Sequence, residues 1–435
     1  PIFIQCPFRR EKPGQSIAKT GVNLRAIVIF RQMQPARAAI AAVLFALTAL
    51  STAQAAEGLG ELGEALALEA PNWEIDGTEI TIGGYAGGAL LTQSRSSAPL
   101  RPSNNSSTEA SGLLTGDIAL RHILDNGMVL GARGRFLALH GSLTGGAYGN
   151  DAIQQLNVYV QMGFGRVEIG QMDGAAYTLG VVGPMAEESL SLETRQLVLY
   201  RNPVAREELG AAFLPSSAVR SSSNYAKINY VTPRLFGLQL GASFTPSMVR
   251  SALPYAGNPA DTAGRQHNMY EFAANYTSYI SDLAVGLSLA YGHGSVEHTL
   301  AGSEGVEDFA AGAQFAYTVS DVKLTWGGGY RRTNAYLFDI AAAGAGRRTE
   351  TFHASVMGEW EKFLLGFEFS NTDVTGPANF AVKGYQISGG YQLNDNLQLT
   401  LGWQWNDYSR NTGLFHHGLP ALSMHIGYMS IGYRL

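Results

Sequence analysis

The chain has 435 residues, of which 46% are apolar and only 15% charged, with 52 glycines, 20 tyrosines and a mean hydropathy of −0.01. An average soluble domain carries about 25% charged residues, so a typical cytosolic globule is a poor match, and this much apolar and aromatic material argues against disorder. A formal net charge of −5 without a dense Lys/Arg stripe leaves no source for the phosphate neutralisation on which nucleic-acid binding depends.

Residues 1–32 precede Met33, carry no folding or membrane pattern, and are read as an extension upstream of the natural start. Cys6, the one cysteine, lies there, so neither a disulfide framework nor thiolate chemistry is expected of the remainder. Residues 33–55 have the order of a secretory signal peptide: Arg37 in a positive n-region, the apolar run Ala38 to Leu50, then Ala53-Gln54-Ala55 as a small-x-small cleavage site. That apolar run is shorter than the about 20 residues a membrane-spanning helix requires. Positions 1–55 hold seven of the 30 basic and one of the 35 acidic residues, which leaves the rest at a net −11. Residues 56–78 form a periplasmic N-terminal extension. Leu59, Leu62, Leu66 and Ala67 recur there at helical spacing, but the interspersed glycines favour a disordered stretch over a short amphipathic helix.

From residue 79 to 435 one parity is apolar or aromatic and the other polar or glycine, the signature of strands whose two faces meet different surroundings. Leu397, Leu399, Leu401, Trp403 and Trp405 alternate with Gln398, Thr400, Gly402, Gln404 and Asn406. Phe309, Ala311, Ala313, Phe315, Tyr317 and Val319 do the same against Asp308, Gly312, Gln314 and Thr318. Short turns alternate with long connectors. The turns fall at Asp125-Asn126-Gly127, Gly163-Phe164-Gly165, Pro233-Arg234-Leu235, Ser281-Asp282, Ser320-Asp321, Glu361-Lys362 and Asn394-Asp395. The connectors run over 93–111, 141–151, 174–222, 246–267, 294–305, 334–348, 372–381 and 409–421. Seven turns and eight connectors require 16 strands. Outward apolar and inward polar residues on an even number of strands are what a bilayer demands, so the expected fold is an all-β, 16-stranded antiparallel transmembrane β-barrel with short periplasmic turns and long extracellular loops. Trp326, Tyr330, Trp360, Phe363, Tyr276, Tyr279, Trp403 and Trp405 fit interfacial girdles, although strand propensity alone also favours such residues.

The end of the chain, Gly427 to Leu435, puts Met429, Ile431, Tyr433 and Leu435 on one face and resembles the carboxyl-terminal signal of outer-membrane barrels, which usually closes on Phe rather than Leu. Gly163 to Tyr177 (GFGRVEIGQMDGAAY) resembles the general-diffusion porins of Gram-negative outer membranes at the strand that leads into their third loop, and Ile80 to Tyr85 resembles their first strand. The resemblance covers residues 79–435. It implies a trimeric, water-filled channel of the outer membrane whose third loop folds inward and narrows the pore, selecting small hydrophilic solutes and ions by size and charge. The longest connector, 174–222, occupies the place of that loop.

On this reading Asp173, Glu187, Glu188 and Glu193 supply the acidic side of the constriction, and Arg121, Arg133, Arg135 and Arg331, inward by parity, supply the basic side. Such opposition creates a transverse field that orients dipolar solutes. The alternative for the paired acids Glu187 and Glu188 is a solvated loop, and for Arg133 and Arg135 a partner-free place in a wide lumen. Lys227 and Lys323, inward by the same test, would extend the basic wall. Small outward residues on two strands, Gly84, Ala86, Gly88, Ala132, Gly134 and Ala138, suit either a subunit contact or strong curvature.

None of the nine histidines falls in a catalytic motif, and no P-loop, GxSxG or CxxC occurs, so no enzyme is expected. No cofactor is expected either: Glu304, Glu307 and Asp308 offer oxygen ligands for Ca²⁺ but lack the spacing of a calcium loop. Partners are then small solutes and ions, outer-membrane lipid and lipopolysaccharide, and two further copies of the chain. The rival functions are a substrate-selective outer-membrane channel and a barrel serving mainly as surface adhesin or structural anchor.

Overall fold

The computed structural model describes residues 70–95, 108–142, 153–187, 190–193, 216–222, 224–248, 266–296, 305–334, 348–375, 379–412 and 422–435. The signal peptide, most of the N-terminal extension and Glu188 lie outside these residues. The strands are β1 (Asn72–Ile75), β2 (Thr78–Arg95), β3 (Thr108–Ile123), β4 (Val129–Ser142), β5 (Ile153–Met162), β6 (Gly165–Gln171), β7 (Ala226–Val231), β8 (Leu238–Ser247) and β9 (Gln266–Ile280). They continue as β10 (Leu283–Val296), β11 (Val306–Val319), β12 (Val322–Thr333), β13 (Arg348–Trp360), β14 (Phe363–Thr375), β15 (Asn379–Gln392), β16 (Leu397–Thr412) and β17 (Leu422–Arg434). One helical turn, α1 (Ala175–Thr178), sits between β6 and β7.

From β2 onward each strand pairs antiparallel with the next, and β17 returns to β2 with Met424 opposite Arg95 and Arg434 opposite Tyr85. The 16 strands β2 to β17 therefore close into a barrel, and closure pairs the edges that hydrocarbon could not solvate. No helix among the described residues is long and apolar enough to cross a membrane; the crossing is made by strands.

Strand β1 is an addition to the expected sixteen. Asp76 and Gly77 take left-handed φ values of 49° and 73°, the geometry that Asp-Gly supplies in a two-residue hairpin, and turn β1 back onto residues 78–81 of β2. Its place has a physical reason. Strand β2 extends beyond the end of β17, where Gly84 and Leu435 exchange backbone hydrogen bonds, and β1 covers the edge that remains. Six of the seven expected turns form in place, with Ser281, Ser320 and Glu361 each in the left-handed region at the first turn position. The one expected at Pro233-Arg234-Leu235 closes just beyond it at Phe236-Gly237, where Leu235 bridges Leu238 and the glycine admits a left-handed φ of 85°. The connector expected over 372–381 is much shorter, only residues 376–378. Thr372, Asp373 and Val374 continue the ladder opposite Val382, Ala381 and Phe380, where β-branched side chains suit a pleated strand.

The two faces sort as the alternation requires. On the outside, rings run from strand to strand at one level: Phe352–Phe369 at 6.3 Å, Phe369–Tyr385 at 5.2 Å, Tyr385–Trp405 at 5.8 Å and Trp405–His425 at 5.6 Å between centroids. Lower on the same side, Trp360 stacks on Phe363 at 6.0 Å. The outward face of β2 to β4 carries a band of small residues, Gly84, Ala86, Gly88, Gly116, Ala132 and Gly134, with larger ones such as Ile82, Leu90, Ile118, Leu130 and Phe136 to either side.

Ile387 points outward near the middle of β15 and is 51% exposed. Ile387→Arg should destabilise the barrel by about 2–4 kcal/mol, as a cation near the bilayer midplane does. The shift should appear as a lower urea midpoint for vesicle-inserted protein, and an unchanged midpoint would mean that this face does not meet lipid.

Candidate functional site

The described residues of the connector between β6 and β7 lie against the inner wall. Backbone groups buried in this way need partners in the wall. On the way out, the Ala175 amide donates to Ser243 Oγ of β8 (3.2 Å), Asn275 of β9 donates to the Leu179 carbonyl (3.0 Å), and the Val181 amide donates to Ser288 Oγ of β10 (2.8 Å). Gln314 of β11 then donates to the Val182 carbonyl (3.2 Å), Gln398 of β16 to the Ala186 carbonyl (2.6 Å), and Ser430 Oγ of β17 to Glu187 Oε2 (2.9 Å).

The return runs one level higher. Gln404 of β16 donates to the Leu190 carbonyl, the Leu192 amide to Glu368 of β14 (3.0 Å), and the Ser222 amide to Glu271 of β9 (3.2 Å). Lys227 of β7 closes the path, donating to Ser222 Oγ at 2.6 Å and to its carbonyl at 3.2 Å.

The seat for this loop is cut by small inward residues. Ala176, Leu179 and Val219 pack on Ala273, Ala290 and Ala310, and a Cβ at Gly312 would stand 1.8 Å from the Val181 carbonyl. Glycine and alanine at inward positions of β8 to β12 thus provide room, while inward Ser, Asn, Gln and Glu provide the bonds.

Three of the four acidic residues expected at the constriction are described, and each is held by hydrogen bonds, Glu187 to the wall and Glu193 within the loop. Asp173 accepts from Gln155 at 2.7 Å, Glu187 is held by Ser430, and Glu193 accepts from Ser216 Oγ (2.8 Å), the Ser217 amide (2.7 Å) and Ser217 Oγ (3.1 Å). Glu187 and Glu193 are both buried. Beside Glu193, His353 of β13 lies 3.8 Å from Glu193 Oε2 and 3.4 Å from Glu368 Oε2, so that imidazole sits between loop and wall. Arg220, on the returning segment, stacks on Tyr177 at 4.5 Å and donates to its hydroxyl. Burial alone would lower the Arg220 guanidinium, but Tyr177, Asp173 and Glu193 outweigh it and hold it above its ordinary value.

The expected arginines divide between two walls. Arg121, Arg133 and Arg135 line the lumen together on β3 and β4, with Arg121 3.3 Å from Glu79 and Arg135 Nε 2.6 Å from Asp117. Arg133 stands 5.5 Å from the ring centre of Tyr159. Arg331 lies apart on β12 and is buried, gripping Asp308 through two bonds of 2.8 and 2.7 Å. Lys323 is also on β12 and is paired with Glu359 at 2.8 Å. Glu307 and Asp308, adjacent in sequence, point to opposite faces of β11.

Several residues of this lumen escaped the sequence reading: Glu79, Asp117, Tyr159, Arg166, Glu168, Glu271, His353 and Glu368. The signal was available. Tyr270-Glu271-Phe272 and Phe367-Glu368-Phe369 each set one carboxylate between outward aromatics in a strand, which parity alone directs inward.

A family model described as Gram-negative porin matches residues 38–411. No curated protein matches the chain. Among solved structures, in-vitro folded OmpT, an outer membrane protein of Vibrio cholerae, is similar with a TM-score of 0.52 and 11% identity over 84% of this chain and 100% of that one. The trimer form of that protein gives 0.50 and 11% over 83% and 100%. An anion-selective porin from Comamonas acidovorans gives 0.50 and 11% over 82% and 100%. At such identities the structural likeness shows the fold.

Removing one member of the buried Arg331–Asp308 pair strands the other charge. Arg331→Ala should cost about 3–5 kcal/mol in denaturant unfolding, and Arg331→Ala with Asp308→Ala should recover most of it. Equal losses in the single and double variants would show that the two charges do not act as a pair.

Proposed function

The chain belongs to the Gram-negative porin family, and on that premise we propose that this outer-membrane channel passes small hydrophilic solutes and ions passively, selecting them by size and charge where the third loop narrows the lumen. The observation that carries the reading is the way the loop is held. Its described backbone is bonded to inward side chains from β8 to β16, while β3 to β6 keep a wall of charged side chains that the described loop residues do not cover.

A loop pinned at so many points presents a fixed aperture rather than a swinging lid. A wall bearing Arg121, Arg133 and Arg135 opposite it would bias passage by charge. Selection of this kind needs no catalytic group, and we assign the chain no enzymatic role. Asp173, Glu187, Glu188 and Glu193 enter the reading as the acidic side, with the hydrogen bonds of Glu187 and Glu193 giving them a share in holding the loop.

The active unit in this reading is a homotrimer. The band of small outward residues on β2 to β4, with the larger apolar side chains beside it, is the surface through which copies would approach, the aromatic side being left for lipid and lipopolysaccharide. The trimer form of the Vibrio cholerae protein is consistent with it.

In planar bilayers the purified protein should give stepwise conductance, and proteoliposomes should take up neutral sugars at rates that fall steeply with size. Glu368→Ala would leave the Leu192 amide without its acceptor and remove one of the two bonds donated by Gln386, which keeps Tyr428, at about 1–3 kcal/mol for the stranded amide. It should therefore raise the uptake of the larger sugars most. Silence in the bilayer would favour the anchor reading, and a size profile unchanged by Glu368→Ala would remove the loop from the constriction.

A further inference from the structure

Four guanidiniums project into the lumen from β3 to β6, and they are not electrically equivalent. Arg121 faces Glu79, Arg135 faces Asp117, and Arg166 is bonded to Glu168, so each of these is one half of a neutral pair. Arg133 has no carboxylate within 4.0 Å among the described residues. Opposite it, across the strands, stand Ala119 of β3 and Asn157 of β5, which carry no charge. It is exposed to the lumen, and its neighbour is the Tyr159 ring, against which Arg166 lies at 3.7 Å from the centroid.

The placement of that ring is built in. A Cβ at Gly131 would lie 2.2 Å from Tyr159 Cζ, so only glycine lets the phenol lie flat over β4 between the two arginines. The negative face of the aromatic ring steadies the Arg133 guanidinium without neutralising it.

We propose that Arg133 is the residue that sets anion preference in this channel and that it forms a transient binding site for the carboxylate group of small organic acids. The inference rests on the open-channel reading above and refines it: one unpaired guanidinium, rather than the whole arginine wall, carries the selectivity. A pair acts at a distance as a dipole, whose field falls faster than that of a single charge. A lone guanidinium also keeps all five donors free for the two-bond grip that a carboxylate geometry matches. An overall acidic chain does not cancel this effect, because charges beyond about 10 Å are screened at 0.1 M salt.

The test uses the purified full chain in planar bilayers, with two readouts: the reversal potential in a KCl gradient and the reduction of chloride current by added potassium acetate. Arg133→Gln should lower the chloride-to-potassium permeability ratio by about three- to fivefold, the effect of one nearby charge in water, and abolish the acetate effect. Arg133→Lys should keep the ratio but lose most of the acetate effect, because an ammonium cannot grip a carboxylate through two bonds. Removing a whole pair at constant net charge, with Arg135→Gln and Asp117→Asn together, should change both readouts by less than about twofold. Gly131→Ala, which displaces Tyr159, should weaken the acetate effect while leaving the ratio in place. A conducting wild type whose ratio ignores Arg133→Gln, or shifts as far in the paired double variant, overturns this proposal alone. A silent wild type overturns the channel reading and this inference with it.

Discussion

Hydrocarbon offers a peptide group nothing to bond to, and every larger feature of this molecule follows from meeting that requirement inside one chain. A sheet can meet it only without free edges, so β17 must return to β2 and the last residues of the chain become a structural seam. The seam is uneven, since β2 runs past the end of β17, and the short β1 hairpin fills the difference with four residues. Closure in turn separates two solvents. Side chains of one parity face lipid and those of the other face the lumen, so each strand is written with an alternating pattern that serves both.

The same accounting of backbone groups recurs within the lumen. Among its described residues the loop between β6 and β7 contributes one helical turn and otherwise irregular backbone, which carries amides and carbonyls that no strand pairs into a crowded space. Wall side chains take the role that neighbouring strands play in the sheet: Ser243, Ser288 and Glu368 accept from loop amides, and Asn275, Gln314 and Gln398 donate to loop carbonyls. Inward Gly and Ala make the space, and the polar residues hold what fills it. The described part of the loop is held by many bonds of modest strength rather than by a single strong contact.

Charge is arranged with similar economy. Where guanidinium and carboxylate share a buried site, as Arg331 and Asp308 do, the geometry is two-pronged and both groups are neutralised. Along β3 to β6 the pairs are more exposed and contribute less to stability, while remaining in view of the lumen. The outer surface is divided as well. A run of aromatic rings from β13 to β17 suits the interfacial level of a bilayer, whereas the small residues of β2 to β4 allow a close approach that lipid chains do not need.

Period-two alternation from residue 79 onward, seven turn sites and the alternation of short with long connectors were enough to specify a 16-stranded barrel, because strand parity and turn chemistry are local properties. Parity likewise sends Arg121, Arg133, Arg135 and Arg331 inward. It does not say which wall each occupies or which carboxylate it meets. Arg331 and Asp308 are 23 positions apart, Glu193 meets Ser217 across 24, and Ser430 reaches Glu187 across 243. Those distances are closed by strand register and by the path of one loop, neither of which any single segment encodes. The sequence by itself determined the barrel and the side of the wall each residue faces. Only the tertiary structure decided which charges are paired, which acids hold the loop, and that Arg133 stands beside an aromatic ring with no carboxylate among its described neighbours. The physical reason is that ion pairing depends on contact within a few ångströms, and contact across a closed sheet is a property of the whole fold.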